Sequence, residues 1–288
     1  MRAGAYDAAW VIADASRRAR DPATRDDARL PYHLRWVWDG TPVDGRNVLV
    51  RCYHGLGDTI QFARFLPLLV RRARSVTVEA PARLIDLLAP ALAGCRPVPF
   101  DPAHPLPPSE CDVEIGELDL ALRSRPDAVD IPYLAAEPAI LPRGTVALCY
   151  GSGEWDPARS IPPALFARLC ALAPVVSLVA EPTDLPVLNP EGCPFDVGAT
   201  AALVAAADLV ITVDTMIAHL AGALGRPTWL MLKAEPDWRW TPGAVSSPWY
   251  PTMRLYHQPS PGDWDSVVAH VARDLAARIA PATKESAS

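Results

Sequence analysis

Two patterns of apolar residues alternate along the first half of the chain. Short runs of branched apolar residues, such as NVLVRCYH and SVTVEAP, are each followed by a segment whose apolar residues recur every three or four positions. Runs of the first kind are typical of buried strands, and the second spacing is typical of helices that pack on a sheet. Strand, turn and helix in repeated order predict βαβ units, whose strands pair in parallel.

The same alternation restarts after a proline-rich stretch at residues 98–143. An interruption near Pro142 predicts a boundary between two α/β halves, each a doubly wound, Rossmann-like sheet, with a cleft at the carboxyl ends of the strands. The strands predicted for the second half are GTVALCYGSG, VVSLVAEP, DLVITVD and PTWLML, and the helices are PPALFARLCALA, TAALVAAA and TMIAHLAGALG. The expected divisions are a helix with a linker at 1–31, a first domain at 32–142 and a second domain at 143–288.

Both ends of the sequence have a helical pattern. The segment before residue 31 reads as an amphipathic helix and a charged linker, and Asp7 and Asp14 in its apolar part argue against a secretory signal. The last helix, GDWDSVVAHVARDLAARIA, is amphipathic and has Asp263 or Asp265 as its cap. We expect this last helix to pack across both halves.

Composition narrows the class of protein. Of the 288 residues 50% are hydrophobic and the formal net charge is -6, so disorder and a nucleic-acid partner are both disfavoured. No segment is apolar for long enough to span a bilayer. None of the six cysteines forms a C-x-x-C pair, which disfavours zinc and favours reduced core residues. We therefore expect a cytoplasmic protein without a bound metal.

A carboxylate follows the first buried strand at the start of a helix. Gly55 and Gly57 precede or flank this point and allow a tight turn and the close approach of a ligand. Asp58 has two interpretations. It caps the helix, with Thr59 as the first helical residue, or it faces the cleft as a general base.

The segment LVITVDTMIAHLAGALG contains a second strand–helix junction. Its strand ends at Asp214, Thr215 begins the helix, and His219 lies one turn further along the same face. The first amides of such a helix attract an anion, worth roughly 0.3–2 kcal/mol per charge. The alternative is that Asp214 is a cap and His219 a core histidine; the three residues together favour a phosphate site.

Two weaker signals also follow predicted strands. Ser152 lies in a Gly-Ser-Gly turn, and Arg159 just after it offers a planar fork for a diphosphate, although a structural turn explains the motif equally well. Glu181 follows another strand and is either a contact for a nucleoside or a surface carboxylate. The aromatic loops at 236–265 read mainly as rigid loops that pack their own rings, with some rings walling the cleft.

These stretches together resemble the heptosyltransferase-like, family 9-like glycosyltransferases, and most of all the bacterial proteins in which such a domain follows tetratricopeptide repeats. The resemblance runs from about Trp38 to Leu275 and is weakest at 95–145. It rests on several motifs in the same order: GLGDTIQFARFLPLL, RSIP, LVITVDTMIAHLAGALGRPTWLML, PDWRW and SPWYPTMRLYHQPSPGDWD.

The resemblance implies a GT-B fold and the metal-independent, inverting transfer of a sugar from a nucleotide diphosphate donor to a hydroxyl, such as that of a cell-surface glycan. Asp58 matches the catalytic base of the family. The matches to the donor site are Asp214, Thr215 and His219, with Met216 at a common glycine position, Arg159 at a phosphate-binding lysine position, and Glu181 near a nucleoside contact; Ser152 lies in the adjoining turn.

Other functions remain open at this point. A catalytically degenerate GT-B domain would bind a nucleotide or a partner without transfer, and a sugar-nucleotide epimerase would share the two-domain shape. A Rossmann oxidoreductase is disfavoured because GLGDTI is not a G-x-G-x-x-G motif. We expect no cofactor besides the donor substrate. We also expect no transmembrane segment, and at most a peripheral association with the inner face of the membrane.

Overall fold

The computed structural model of the chain describes residues 4–153 and 155–280. Their strands form two sheets in which every ladder is parallel. The first sheet has the order β3-β2-β1-β4, with β1 at Asn47–Arg51, β2 at Ser75–Ala80, β3 at Arg96–Pro99 and β4 at Cys111–Glu114. The second has the order β6-β5-β7-β8-β9, with β5 at Val146–Cys149, β6 at Val175–Ser177, β7 at Leu209–Val213, β8 at Thr228–Leu232 and β9 at Met253–His257.

Helices flank both sheets, so the predicted α/β class with two parallel sheets is confirmed. In chain order the helices are α1 at Tyr6–Arg18, α2 at Leu56–Ala63, α3 at Leu66–Val70, α4 at Leu118–Leu122, α5 at Ala167–Cys170, α6 at Val197–Ala206, α7 at Met216–Ala223 and α8 at Trp264–Ile279. Short 3-10 turns lie between several of them.

Proline shortens two helices that the apolar spacing predicts as continuous. The segment after β1 divides into α2 and α3, with Pro67 in the first turn of α3. The segment after β2 forms only a 3-10 turn at Ala82–Leu84 and further turns, and it contains Pro90. Proline lacks the amide hydrogen that an interior helical turn needs, so a continuous helix is disfavoured at both places.

The last part of the chain differs from the prediction in two ways. Part of the aromatic segment forms β9 rather than a loop, because its mostly buried residues pair in parallel with β8. The cap of α8 is Asp263, which accepts a hydrogen bond from the Ser266 amide at 3.1 Å. The expectation that α8 crosses both halves is wrong: its buried side chains belong to the core of the second sheet.

The first helix is fastened to the first half of the chain. Asp14 pairs with Arg123 at 2.6 Å and Asp7 with Arg125 at 3.0 Å, while Trp10 is buried. The segment that links the two halves contacts the second half. The backbone amide of Tyr133 donates to the carbonyl of Ala223 at the end of α7.

The two halves meet where α2 packs on α7, and one hydrophobic core runs through both helices. Both helices begin at the carboxyl end of a central strand, β1 for α2 and β7 for α7. The packing of the two helices therefore brings together the two strand–helix junctions that the sequence singles out.

Candidate functional site

A cleft of about 1080 Å³ lies between the two halves. It is lined on the first half by the start of α2 and on the second by the start of α7. The segment between α1 and β1 supplies a further wall, through Arg20, His33 and Trp36. His33 meets Trp155 of the second half edge to face, with ring centroids 5.5 Å apart. Arg20 from the predicted segment 1–31 and the residues just after that segment thus line the cleft.

Asp58 does not cap the helix. Helix α2 begins at Leu56 with Gly55 as its N-cap, and no side chain caps it, so Asp58 lies inside the first turn. Its carboxylate instead forms an ion pair with Arg239, which lies in the loop between β8 and β9. The cap interpretation is therefore wrong, and Asp58 faces the cleft.

Arg239 bridges the two halves. Its Nε donates to Gln61 Oε1 at 2.6 Å and its Nη1 to Asp237 Oδ1 at 2.8 Å, while Nη2 bonds Asp58. The guanidinium also lies 4.8 Å from the centroid of the Trp238 ring. Burial works against its charge, but the nearby carboxylates of Asp58 and Asp237 outweigh burial and raise the pKa of Arg239.

Thr215 is the N-cap of α7, and Asp214 is not. The Thr215 hydroxyl accepts from the Ile217 amide at 3.2 Å. Asp214 is buried, and burial raises the pKa of its carboxyl to about 6. Its backbone carbonyl accepts from Arg159 Nη1 at 2.8 Å. Arg159 is thereby held beside the start of α7, and its buried Nε has no hydrogen-bond partner among the described residues.

His219 is buried one turn into α7. Burial holds the pKa of its imidazole well below the ordinary value of 6.5, so the ring is neutral at neutral pH. Its Nδ1 lies 3.1 Å from the Tyr250 hydroxyl and its ring stacks on Trp240 at 5.8 Å. It lines the cleft but does not bring a positive charge to it.

Two predicted donor residues are placed differently. Ser152 is engaged within its own turn, where its hydroxyl contacts the Ser160 hydroxyl at 2.8 Å and donates to the Asp156 carbonyl at 3.0 Å. Glu181 is exposed, four residues beyond the end of β6, and does not line the cleft described here. The structure thus brings Asp58, Arg159, Thr215 and the residues around them together, but not Glu181.

Among the polar residues that line the cleft, sequence reasoning missed His54, Glu114 and Arg239. It also missed the buried Gln61, which accepts from Arg239. His54 Nδ1 lies 2.9 Å from Glu114 Oε1, and this contact raises the pKa of the imidazole. Arg239 lies in PDWRW, one of the motifs on which the resemblance rests, and its position there is the signal that could have found it.

Within residues 4–153 and 155–280, no group of three or more His, Cys, Asp or Glu side chains is arranged to hold a metal ion. In the same part of the chain, no helix is both long enough and apolar enough to cross a membrane.

Two comparisons of sequence agree with the motifs. Residues 193–243 match the model of glycosyltransferase family 9 (heptosyltransferase). Protein FlbA of Caulobacter vibrioides is 32% identical over 133 residues, which take in 43% of this chain and 22% of that protein. The chain therefore aligns with less than a quarter of the length of this relative.

Solved structures show the same fold at low sequence identity. ADP-heptose lipopolysaccharide heptosyltransferase II of E. coli has 15% identity and a TM-score of 0.54, over 80% of this chain and 98% of that one. The iron-containing dodecameric glycosyltransferase TibC of enterotoxigenic E. coli has 17% identity and a TM-score of 0.53, over 78% of this chain and 66% of that one. The fold is thus that of the GT-B heptosyltransferases, and the predicted resemblance is confirmed.

Proposed function

We propose that this chain transfers a sugar from a nucleoside diphosphate donor to the hydroxyl of an acceptor, with inversion and without a metal ion. One observation carries the proposal: Asp58 and the N-terminus of α7 lie on adjoining helical turns at one cleft. A Cβ built on Gly57 would stand 3.5 Å from the Met216 amide nitrogen. The start of α2, which carries Asp58, and the anion-binding start of α7 thus lie against each other at the same cleft.

The donor diphosphate would lie at the start of α7. The amides at Thr215 and Met216 and the guanidinium of Arg159, which lines the cleft, supply donors for its oxygens. Because His219 is neutral, its contribution is a hydrogen bond and not a charge. The Asp214 carboxyl is buried, so its backbone carbonyl, which holds Arg159, is the part that serves the site.

The acceptor would enter from the first half. As its hydroxyl oxygen forms a bond to the anomeric carbon, Asp58 takes the hydroxyl proton, and the bond between that carbon and the diphosphate oxygen breaks. A positioned base of this kind contributes typically ~10²–10⁴-fold to the rate. The electron pair leaves with the diphosphate, whose growing charge is stabilised by the preorganised donors of α7 and Arg159.

A nucleotide donor is supported by the neighbours. TibC was solved as a heptosyltransferase in complex with ADP-D-beta-D-heptose. We therefore take ADP as the first nucleotide to test on this chain. We also propose that the chain works in the cytoplasm and acts on a cell-surface glycan or its precursor. The thiols of its six cysteines are all free, which fits a reducing compartment.

One observation favours a second candidate, a degenerate domain that binds a nucleotide or partner without transfer. The ion pair with Arg239 occupies the carboxylate that would act as the base. Such a domain would bind a nucleoside diphosphate and yet transfer no sugar.

A thermal-shift panel of ADP, UDP, GDP, dTDP and CDP, each with and without magnesium, tests the proposal. A ligand at 100 times its dissociation constant adds about 2.7 kcal/mol to stability. We expect one diphosphate to stabilise the protein without magnesium, and its sugar conjugate to be consumed when an acceptor is supplied. Asp58→Asn should be stabilised by the same diphosphate at least as much as the wild type, and should lose transfer. Binding without transfer by the wild type would favour the degenerate domain, and full activity of Asp58→Asn would refute the base assignment.

A further inference from the structure

We infer that Arg239 is a donor-binding residue that releases the base: it pairs with Asp58 and turns to the diphosphate when the donor binds. This inference rests on the proposed function and adds to it a residue and an order of events. Donor binding would make Asp58 available, so the donor would bind before the acceptor reacts.

The contacts of Arg239 are the first argument. Its guanidinium has five N–H donors, and the three contacts to Gln61, Asp237 and Asp58 leave donors on both terminal nitrogens for another partner. The backbone at Arg239 is held independently of these contacts, because the next residue, Trp240, is fully buried and fixes the loop. The side chain can therefore change partner without a movement of the backbone.

The second argument is reach. Asp58 follows Gly57, and Gly57 lies against Met216 at the start of α7. An anion held by the first amides of α7 would thus lie beside the present partner of Arg239. Gln61 lies one turn beyond Gly57 on the same face of α2, and its buried Nε2 has no hydrogen-bond partner among the described residues. The buried amide that holds Arg239 in place therefore has an N–H group that no described side chain uses.

Charge decides between the two partners. Asp58 offers a single negative charge, whereas a diphosphate offers several oxygens that share at least two. Charge-assisted, bidentate contacts with phosphate are among the strongest that arginine makes. The guanidinium therefore favours the diphosphate once it is present.

Release of Asp58 also fits the chemistry of transfer. While Arg239 holds the Asp58 carboxylate, an acceptor hydroxyl has to compete with the guanidinium for the same oxygen. After the exchange Asp58 is free to take the acceptor proton, while Arg239 lies against the leaving diphosphate as its charge grows. One side chain would then occupy the Asp58 carboxylate before the donor binds and assist the departure of the diphosphate afterwards.

A double-mutant cycle on the full chain tests the exchange. The dissociation constant of ADP, or of the diphosphate that stabilises the protein best, is measured calorimetrically for the wild type, Asp58→Asn, Arg239→Gln and the double variant. We expect Asp58→Asn to bind roughly three- to tenfold more tightly than the wild type, because Arg239 no longer has to leave a charged partner. Arg239→Gln should bind more weakly, and Asp58→Asn should bring no gain in its presence.

Matched controls separate this effect from general electrostatics. Asp44→Asn removes the carboxylate that pairs with Arg72, an arginine that does not line the cleft, and should leave affinity unchanged. The nucleoside without phosphates should bind Asp58→Asn and the wild type equally. Arg239→Lys, which keeps the charge but not the planar guanidinium, replaces Arg239→Gln if that variant fails to fold. In the Arg239→Lys background, Asp58→Asn should lose most of its gain in diphosphate affinity.

The outcomes distinguish the inference from the proposed function. If a diphosphate binds and Asp58→Asn brings no gain, or brings an equal gain in the Arg239→Gln background, the exchange is refuted while the function stands. If neither a nucleoside diphosphate nor inorganic pyrophosphate binds to any variant, both are refuted.

Discussion

Gly57, in the first turn of α2, lies directly against Met216, the first residue of α7. A Cβ added to Gly57 would stand 3.3 Å from Met216 Cα and 2.9 Å from His219 Cδ2. Gly57 therefore allows the two helix starts to approach, and with them the two sides of the cleft. Its conformation is helical, so the requirement is one of space and not of backbone freedom.

Gly57→Ala should push α2 away from α7. Overpacking of this kind costs about 1–3 kcal/mol of unfolding free energy, and here it should also weaken diphosphate binding. Gly55→Ala is the matched control, because a Cβ at that position meets only Asp58 Oδ2, at 3.4 Å. Urea unfolding and nucleotide titration of both variants measure the two effects, and equal behaviour of the pair would contradict the packing argument.

Arg51→Ala should destabilise the first sheet strongly. Arg51 is buried between Glu79 and Asp112, at 3.1 and 2.8 Å, and it leaves two buried carboxylates behind when it is removed. Loss of one partner of a buried pair costs roughly 3–5 kcal/mol.

Arg72→Ala is the control for Arg51, because the pair of Arg72 with Asp44 is exposed and worth about 1 kcal/mol or less. Chemical denaturation gives both values. A loss at Arg51 no larger than that at Arg72 would show that the buried network contributes nothing special.

Asp119→Asn should remove part of the dependence of stability on pH. Burial raises the pKa of Asp119 to about 7. The folded state thus binds this proton more tightly than the unfolded state. The stabilisation that the protonated carboxyl gives the folded state is complete below the ordinary pKa near 3.8, and it is lost as pH rises through 7. Between these two pKa values, the free energy of unfolding of the variant should rise relative to that of the wild type by up to about 1.4 kcal/mol for each pH unit.

Melting temperatures of wild type and Asp119→Asn at pH 5 and pH 8 measure this difference. Asp127→Asn, in which the changed carboxylate is exposed, is the control and should show the same trend with pH as the wild type. A constant offset between Asp119→Asn and wild type at the two pH values would contradict the assignment.

Leu275→Ala should destabilise the second half through α8. Leu275 is 1% exposed and packs in the core of the second sheet, and truncation of a buried leucine to alanine costs about 2–5 kcal/mol. Ile279→Ala, at a residue that is 44% exposed near the end of the same helix, should change stability by about 0.5 kcal/mol or less. Similar melting of the two variants would mean that α8 is not part of the core.

Local patterns in the sequence predicted the elements that meet at the site. The junctions at Asp58 and at Asp214–Thr215 follow from a buried apolar run that ends where a helical spacing begins, and this information lies within a few neighbouring residues. Parallel pairing follows as well, because strands joined through helices run in the same direction. The prediction was weaker wherever proline stands inside an apolar spacing, as at Pro67 and Pro90.

Only the tertiary structure decided how the junction residues are used. Asp58 and Arg239 are 181 positions apart, and no local periodicity connects them. The neutral state of His219 and the raised pKa of Asp214 result from burial by distant segments. The wall formed by Arg20, His33 and Trp36 likewise exists only because the fold places the segment before β1 against the cleft. Sequence patterns record which residues are near along the chain, whereas charge, protonation and ligand access depend on which residues are near in space.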